Sequence, residues 1–348
     1  MKRIIILFLL LMLGGIHASA AELDYTAPPV PESGEEFLYK EPESFGDGLR
    51  TIIQQTLPLL HPAFSEAAST CMQVIGISLL LSVIDSFKGI AKSAVRLIGA
   101  ASLSAALLSV SGTMIPMANA TIQDLNTYGK LLLPVMAGAL AAQGGVTTSG
   151  ALYAGTALFN SILIGMINRI FIPAVYAFLA LAVASSALEE RFLPRLKDMI
   201  KGTTTWALKI TLYVFTGYMT VTGAVSGSTD AIAMKAAKIT ISGVVPVVGS
   251  ILADASEAVL ISSAVMKNTA GVYGILAVLA VVIEPFVRLG AQYILIKLTA
   301  AFCGSFGGKT YSELILDFSS AMGLLLAMTA AVSIMLLIST VCFMKVVH

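Results

Sequence analysis

Charge is the scarcest commodity in this chain. Of 348 residues, 12% are Asp, Glu, Lys or Arg and 57% are apolar, and the mean hydropathy is +0.89. Soluble domains are about one quarter charged, so the chain lacks the polar surface that water requires, and its solvent is largely a lipid bilayer. Histidine is nearly absent: His17 lies in the leader, His61 precedes the apolar region and His348 is the last residue. Three cysteines, Cys71, Cys303 and Cys342, share no ligand spacing. A metal site or a Cys–His catalytic pair has almost no material here, and no disulfide framework is formed. The net charge of +1 gives no clustered basic face for nucleic acid. A phosphate loop is missing too. The stretch "CGSFGGKT" at 303–310 has Cys303 where G-x-x-x-x-G-K-[ST] needs glycine, and no strand of an α/β domain precedes it. The expectation is a protein without cofactor and without enzymatic chemistry.

What is present is ordered along the chain. Lys2 and Arg3, the apolar run "IIILFLLLML" and "ASA" ending at Ala20 form a signal peptide, which puts the mature start outside the cytoplasm. Residues 21–66 begin as an acidic extracytoplasmic segment, with eight acids, four prolines and three glycines over 21–50 against Lys40 and Arg50. That composition predicts a solvated arm. The following "GLRTIIQQTLPLLHPAFSEAAS" reads as a short amphipathic helix at the membrane surface.

From residue 67 apolar stretches follow one another, with helices predicted near 67–84, 97–118, 131–143, 150–168 and 170–188. A second group is predicted near 203–225, 239–252, 260–280, 282–302 and 315–344. The pieces 131–143 and 239–252 fall short of the roughly 20 residues of a straight span. Each holds a proline, Pro134 or Pro246, with glycine, which predicts broken or re-entrant helices. The loop 85–96 carries Lys88, Lys92 and Arg96, and 189–201 carries Arg191, Arg195, Lys197 and Lys201. Both should face the cytoplasm, which requires an even number of crossings between them.

An internal repeat accompanies this pattern. At an offset of 112 residues Pro134 meets Pro246 and Pro173 meets Pro285. One further residue lays "DSFKG" at 85–89 over "DMIKG" at 198–202. Both copies start at a basic loop, so the repeats are parallel ones about the membrane normal. The expected fold is all-α, a polytopic transmembrane helical bundle with this repeat and short broken or re-entrant helices. Its parts are the signal peptide 1–20, the acidic segment 21–66, a first transmembrane helix 67–84, repeats 85–188 and 198–301, and a C-terminal loop and transmembrane helix 302–348.

The candidate functional residues sit at depth. Asp254 and Glu257, in "VVPVVGSILADASEAV", lie three apart and share a face if helical. Their counterparts in the first copy are Ala142 and Gly145, so only the second copy adds charge. A hairpin tip or re-entrant bend accounts for them. An ion- or solute-facing site is the alternative, because carboxylates at membrane depth usually face a cavity or a partner. A hydrolytic pair lacks a nucleophile or metal to work with. Glu284 and Arg288 are spaced i, i+4 with the acid first, which predicts mutual neutralisation and fixed packing. Lys297 reads as a snorkelling side chain, and Asn160, Asn168 and Arg169 as packing or boundary residues. Runs such as "LIGAASLSAALLSVSG" bring backbones close and permit homo-oligomers as well as a compact bundle.

The stretch 222–274 is more particular. Asp230 with Lys235 and Lys238, the VPVVG around Pro246, Asp254, and Lys267-Asn268 with Gly271 resemble the stage III sporulation protein AE family. The signal peptide, acidic arm and polytopic body match that family in character across nearly the whole chain. The resemblance implies a non-enzymatic membrane component of the apparatus linking mother cell and forespore, in the mother-cell membrane around the forespore. It implies as partners the other membrane and ATPase proteins of the same sporulation operon, and the bridging proteins between the two membranes. The competing reading is an autonomous secondary transporter with its substrate site at the broken helices.

Overall fold

The computed structural model describes residues 28–38, 42, 44–85, 87, 92–142, 146–188, 190, 192–222, 269–305 and 309–346. Among them every regular element is helical. The helices are α1 (Glu32–Glu35), α2 (Phe45–Asp85), α3 (Lys92–Ala142) and α4 (Val146–Met166). A π-helical turn at Ile167–Phe171 leads directly into α5 (Ile172–Ala187). Then come α6 (Phe192–Val221), α7 (Thr269–Gly304) and α8 (Lys309–Val346). Five helical stretches, within 45–84, 93–140, 149–187, 270–304 and 309–344, are long and apolar enough to cross a membrane. The chain is an all-α, multi-pass helical protein.

The helices are fewer and longer than the apolar stretches suggest. The predicted helices 97–118 and 131–143 are both parts of α3, which is 51 residues long and holds Pro116 and Pro134 inside it. Pro134 therefore marks no break in the described helix. The polar stretch between the two predicted pieces stays helical because its side chains find partners on the neighbouring helix. Likewise 282–302 and the described part of 260–280 form α7 with Pro285 inside. The predicted helices 150–168 and 170–188 are joined by the π turn. Its cause is Pro173 at the start of α5: proline has no N–H to give to residue 169 and crowds that carbonyl, and one wider turn takes up the mismatch. Residues 239–252, with Pro246, Asp254 and Glu257, lie outside the described residues.

The acidic segment differs from a solvated arm in its described part. Val30, Phe37 and Leu38 are buried, and Gly34 lies against Val281 of α7. The acids take the outer side and the few apolar residues the inner one. The helix α2 then starts at a cap: the Asp47 N–H donates to Ser44 Oγ at 3.2 Å, and the hydroxyl donates back to Asp47 Oδ2 at 2.6 Å. It continues through residue 66 without interruption, so the amphipathic stretch and the first apolar span are one rod.

Side-chain contacts set the directions of the six long rods. Ser149 donates to the Ala137 carbonyl (2.5 Å), Asn160 to Asn126 (3.2 Å), Gln123 to Asn168 (3.0 Å) and Arg96 to the Ser186 carbonyl (3.0 Å). Each step up α3 is a step down α4–α5, an antiparallel hairpin. In the same way Ser312 donates to the Ala300 carbonyl and Ser319 to the Tyr293 carbonyl, and Gly271 accommodates Met344, so α7 and α8 are antiparallel. Tyr311 at the start of α8 donates to the Val95 carbonyl at the start of α3. Glu66 of α2 meets Arg288 of α7, and Gly48 meets Leu276, so those two helices run side by side in one direction.

The result is an up-and-down bundle around α8, whose residues from Phe318 to Met344 are mostly buried. Hydroxyls on that helix turn inward on the backbone: Thr329, Ser339 and Thr340 each donate to the carbonyl four residues earlier. The ends of α2, α5 and α7 and the starts of α3, α6 and α8 gather at one end, here the basic end. The starts of α2, α4 and α7 and the ends of α3, α6 and α8 gather at the far end. Both basic loops thus fall on the same side, with two long rods between them instead of the four expected spans.

Candidate functional site

Charged side chains inside an apolar bundle are costly unless paired, so the pairs locate the sites worth testing. The first joins α2 to α7. Arg288 donates from Nε to Glu284 at 2.8 Å, one turn earlier on its own helix, and from Nη1 to Glu66 of α2 at 3.2 Å. The sequence-predicted pair Glu284 and Arg288 is brought together, and Glu66 joins it across 222 residues of chain. Two carboxylates face one guanidinium, leaving an uncompensated acid. All three side chains stand roughly a third exposed or more, so the cluster clamps two helices at the bundle surface and does not line an enclosed cavity.

The second pair was not anticipated. Lys197 of α6 bonds Asp317 of α8 at 2.5 Å, with side chains only 9% and 13% exposed, and Lys201 one turn later donates to Ser320 at 2.9 Å. In the sequence both lysines belong to a basic loop. The signal that could have found them was there: Leu193, Lys197, Thr204, Leu208, Phe215 and Met219 follow one helical stripe, all buried. Asp317 also interrupts the apolar pattern of α8.

The third feature is the amide seam formed by Gln123 with Asn168 and Asn126 with Asn160, which matches the packing role expected of Asn160 and Asn168. Lys297 donates to Tyr293 Oη at 3.3 Å and sits 5.3 Å over its ring. Pro134 lies in the outer part of α3. Asp254, Glu257 and Pro246 cannot be placed relative to any of these, since they lie outside the described residues. Among the described residues no three His, Cys, Asp or Glu side chains gather as a metal site would require. The cysteines Cys71, Cys303 and Cys342 are all buried, and none forms a disulfide.

A family model for stage III sporulation protein AE matches residues 42–346. The chain belongs to this family. Among curated stage III sporulation AE proteins, that of Bacillus subtilis (strain 168) is 27% identical over 223 residues, covering 64% of this chain and 56% of the relative. The chain thus matches just over half the length of that relative. No solved structure matches. Membership supports a role in sporulation for this member of the stage III AE family.

Proposed function

We propose that this protein is a non-enzymatic integral membrane subunit of a channel or secretion-like complex connecting mother cell and forespore. It sits in the mother-cell membrane around the forespore and is needed for late forespore development. The observation that carries this reading is the family match over residues 42–346, on a bundle in which Lys197–Asp317, Arg288–Glu66 and the Gln123–Asn168 and Asn160–Asn126 amides pair across helices. Its partners are the other membrane and ATPase proteins of the same operon and the bridging proteins between the membranes. Because the stretch 303–310 does not fit a phosphate loop, any ATP-driven work comes from a partner. The parallel duplication belongs to this reading. It is supported by the way the rod after each basic loop, α3 or α6, leaves the basic end, and α4–α5 or α7 returns to it.

Crosslinking in sporulating cells followed by identification of the captured proteins tests the proposal, and operon products are the expected catch. The unaccompanied protein reconstituted in liposomes should move no solute; transport by it alone would overturn the reading in favour of an autonomous transporter. Asp254→Asn combined with Glu257→Gln should leave spore formation mostly intact if those residues make a bend. A permease that binds its substrate through these carboxylates would lose function outright.

A further inference from the structure

The rods are too long for a bilayer. A helix of 51 residues extends about 76 Å, against a hydrocarbon core of about 30 Å. Something must decide which part of the bundle lipid covers. A belt of polar side chains, about two helical turns deep, runs across the outer rods. On the α3–α4 hairpin it is the amide seam, Gln123 with Asn168 and Asn126 with Asn160. On α2 and α7 it is Glu66 with Arg288. These two parts lie within about two helical turns of each other: Leu132 packs on Gly274, and fourteen residues onward along each antiparallel rod lie Ala118 and Arg288, with Gln123 five residues, about 8 Å, nearer the far end. On α6, Thr211 touches Met166, which carries the level to Lys209.

Between this belt and the basic end, α2, α3 and α5 each have one apolar stretch of bilayer length, whereas α6 carries Arg195, Asp198 and Lys201 toward its start. Residues 67–84 and 170–187 extend about 27 Å and residues 97–118 about 33 Å. Apart from Gln73, their exposed side chains are apolar, aromatic or small, such as Met72, Leu80, Ile98 and Leu108. Beyond the belt the surface changes. The exposed face of α2 there carries Asp47, Arg50, Gln54, Gln55 and His61, and α3 exposes Lys130. Hydrocarbon would leave those groups unsolvated at several kcal/mol each. The buried carbonyl oxygens of Asn119 and Asn160 have no partner among the described residues, a condition that the water of an interface relieves and lipid tails do not.

We propose that the bilayer covers only the half of the bundle between the basic loops and this belt. The far half, including the packed acidic segment, stands outside as an extracytoplasmic helical layer. The partner of the basic half is thus the acyl region of the membrane, and the belt lies at the outer headgroups. Trp206, the single tryptophan, is 64% exposed and lies five residues before Thr211, just inside the belt, where interfacial tryptophans concentrate.

The full chain in lipid nanodiscs, treated with a charged, water-soluble amine reagent and mapped by mass spectrometry, tests this without substitutions. Lys130 should be modified nearly completely, while Lys297, also exposed on the bare bundle, should be protected. Cysteines introduced by Ile53→Cys and Leu158→Cys should react with a charged maleimide, and those from Leu80→Cys and Leu108→Cys should not, against a parent whose own cysteines are buried. If Lys130 and the 53 and 158 positions are protected as fully as Lys297, lipid covers the far half and the proposal fails. It fails equally if positions 80 and 108 react while 158 does not.

Discussion

Lys197 and Asp317 show what one buried contact is worth in this bundle. Both side chains are nearly out of contact with solvent, so removing either partner strands a charge between α6 and α8, which costs about 3–5 kcal/mol in protein interiors. The Glu284–Arg288–Glu66 cluster is far more exposed, and exposed pairs are worth roughly 0–1 kcal/mol. Asp317→Ala should therefore lower the unfolding midpoint in detergent much more than Glu284→Ala does. Asp317→Asn should fall between them, because the amide still accepts a hydrogen bond from Lys197 but leaves its charge uncompensated. Equal losses for Asp317→Ala and Glu284→Ala would show that burial does not set the ranking.

At the scale of the element, the π turn at Ile167–Phe171 is the informative feature. It exists because Pro173 disables the regular hydrogen bond to residue 169, and it sits where Asn168 reaches Gln123. Replacing Pro173 with Ala restores the missing donor and removes the clash, so the turn should tighten to a regular α-helix. A change from π to α rotates everything before it relative to α5 and turns Asn168 away from Gln123. A disulfide between cysteines placed at 123 and 168 should form readily in the parent and poorly with Pro173→Ala. Undiminished crosslinking would mean that packing against α3, and not the proline, holds the turn.

The same elements explain what could be read in the sequence. The helical class, the Glu284–Arg288 pair and the common side of the basic loops were legible because each depends on local composition or spacing. The lengths of the rods were not. Hydropathy reports the solvent of a side chain, and at 119–130 the polar solvent is a neighbouring helix, which looks identical to a loop in one dimension. Pro134 misled for a related reason, since an interior proline is tolerated where neighbouring helices support the backbone. The partnership of Lys197 with Asp317 spans 120 residues and leaves only its helical stripe as a trace, and the packing of Phe37 and Leu38 was masked by the acids around them.

For the molecule as a whole, direction follows from charge. The basic end carries Lys92, Arg96, Arg195 and Lys309 near the starts of α3, α6 and α8, and the sequence joining α3 to α4 contains no lysine or arginine. Positive loops stay in the cytoplasm. The end of α8 lies at the far end, because Met344 packs on Gly271 at the start of α7, level with the start of α2. The C-terminus therefore belongs on the same side as the acidic segment, outside the cytoplasm. A reporter that is active only outside, such as an alkaline phosphatase, should be active when fused after His348 and silent when fused at residue 190. A fluorescent protein that matures only in the cytoplasm should give the opposite pair. An active phosphatase at residue 190 would invert the whole bundle. A silent one at both positions would mean an even number of crossings between 190 and the end, against the odd number that carries the chain from the basic end to the far end.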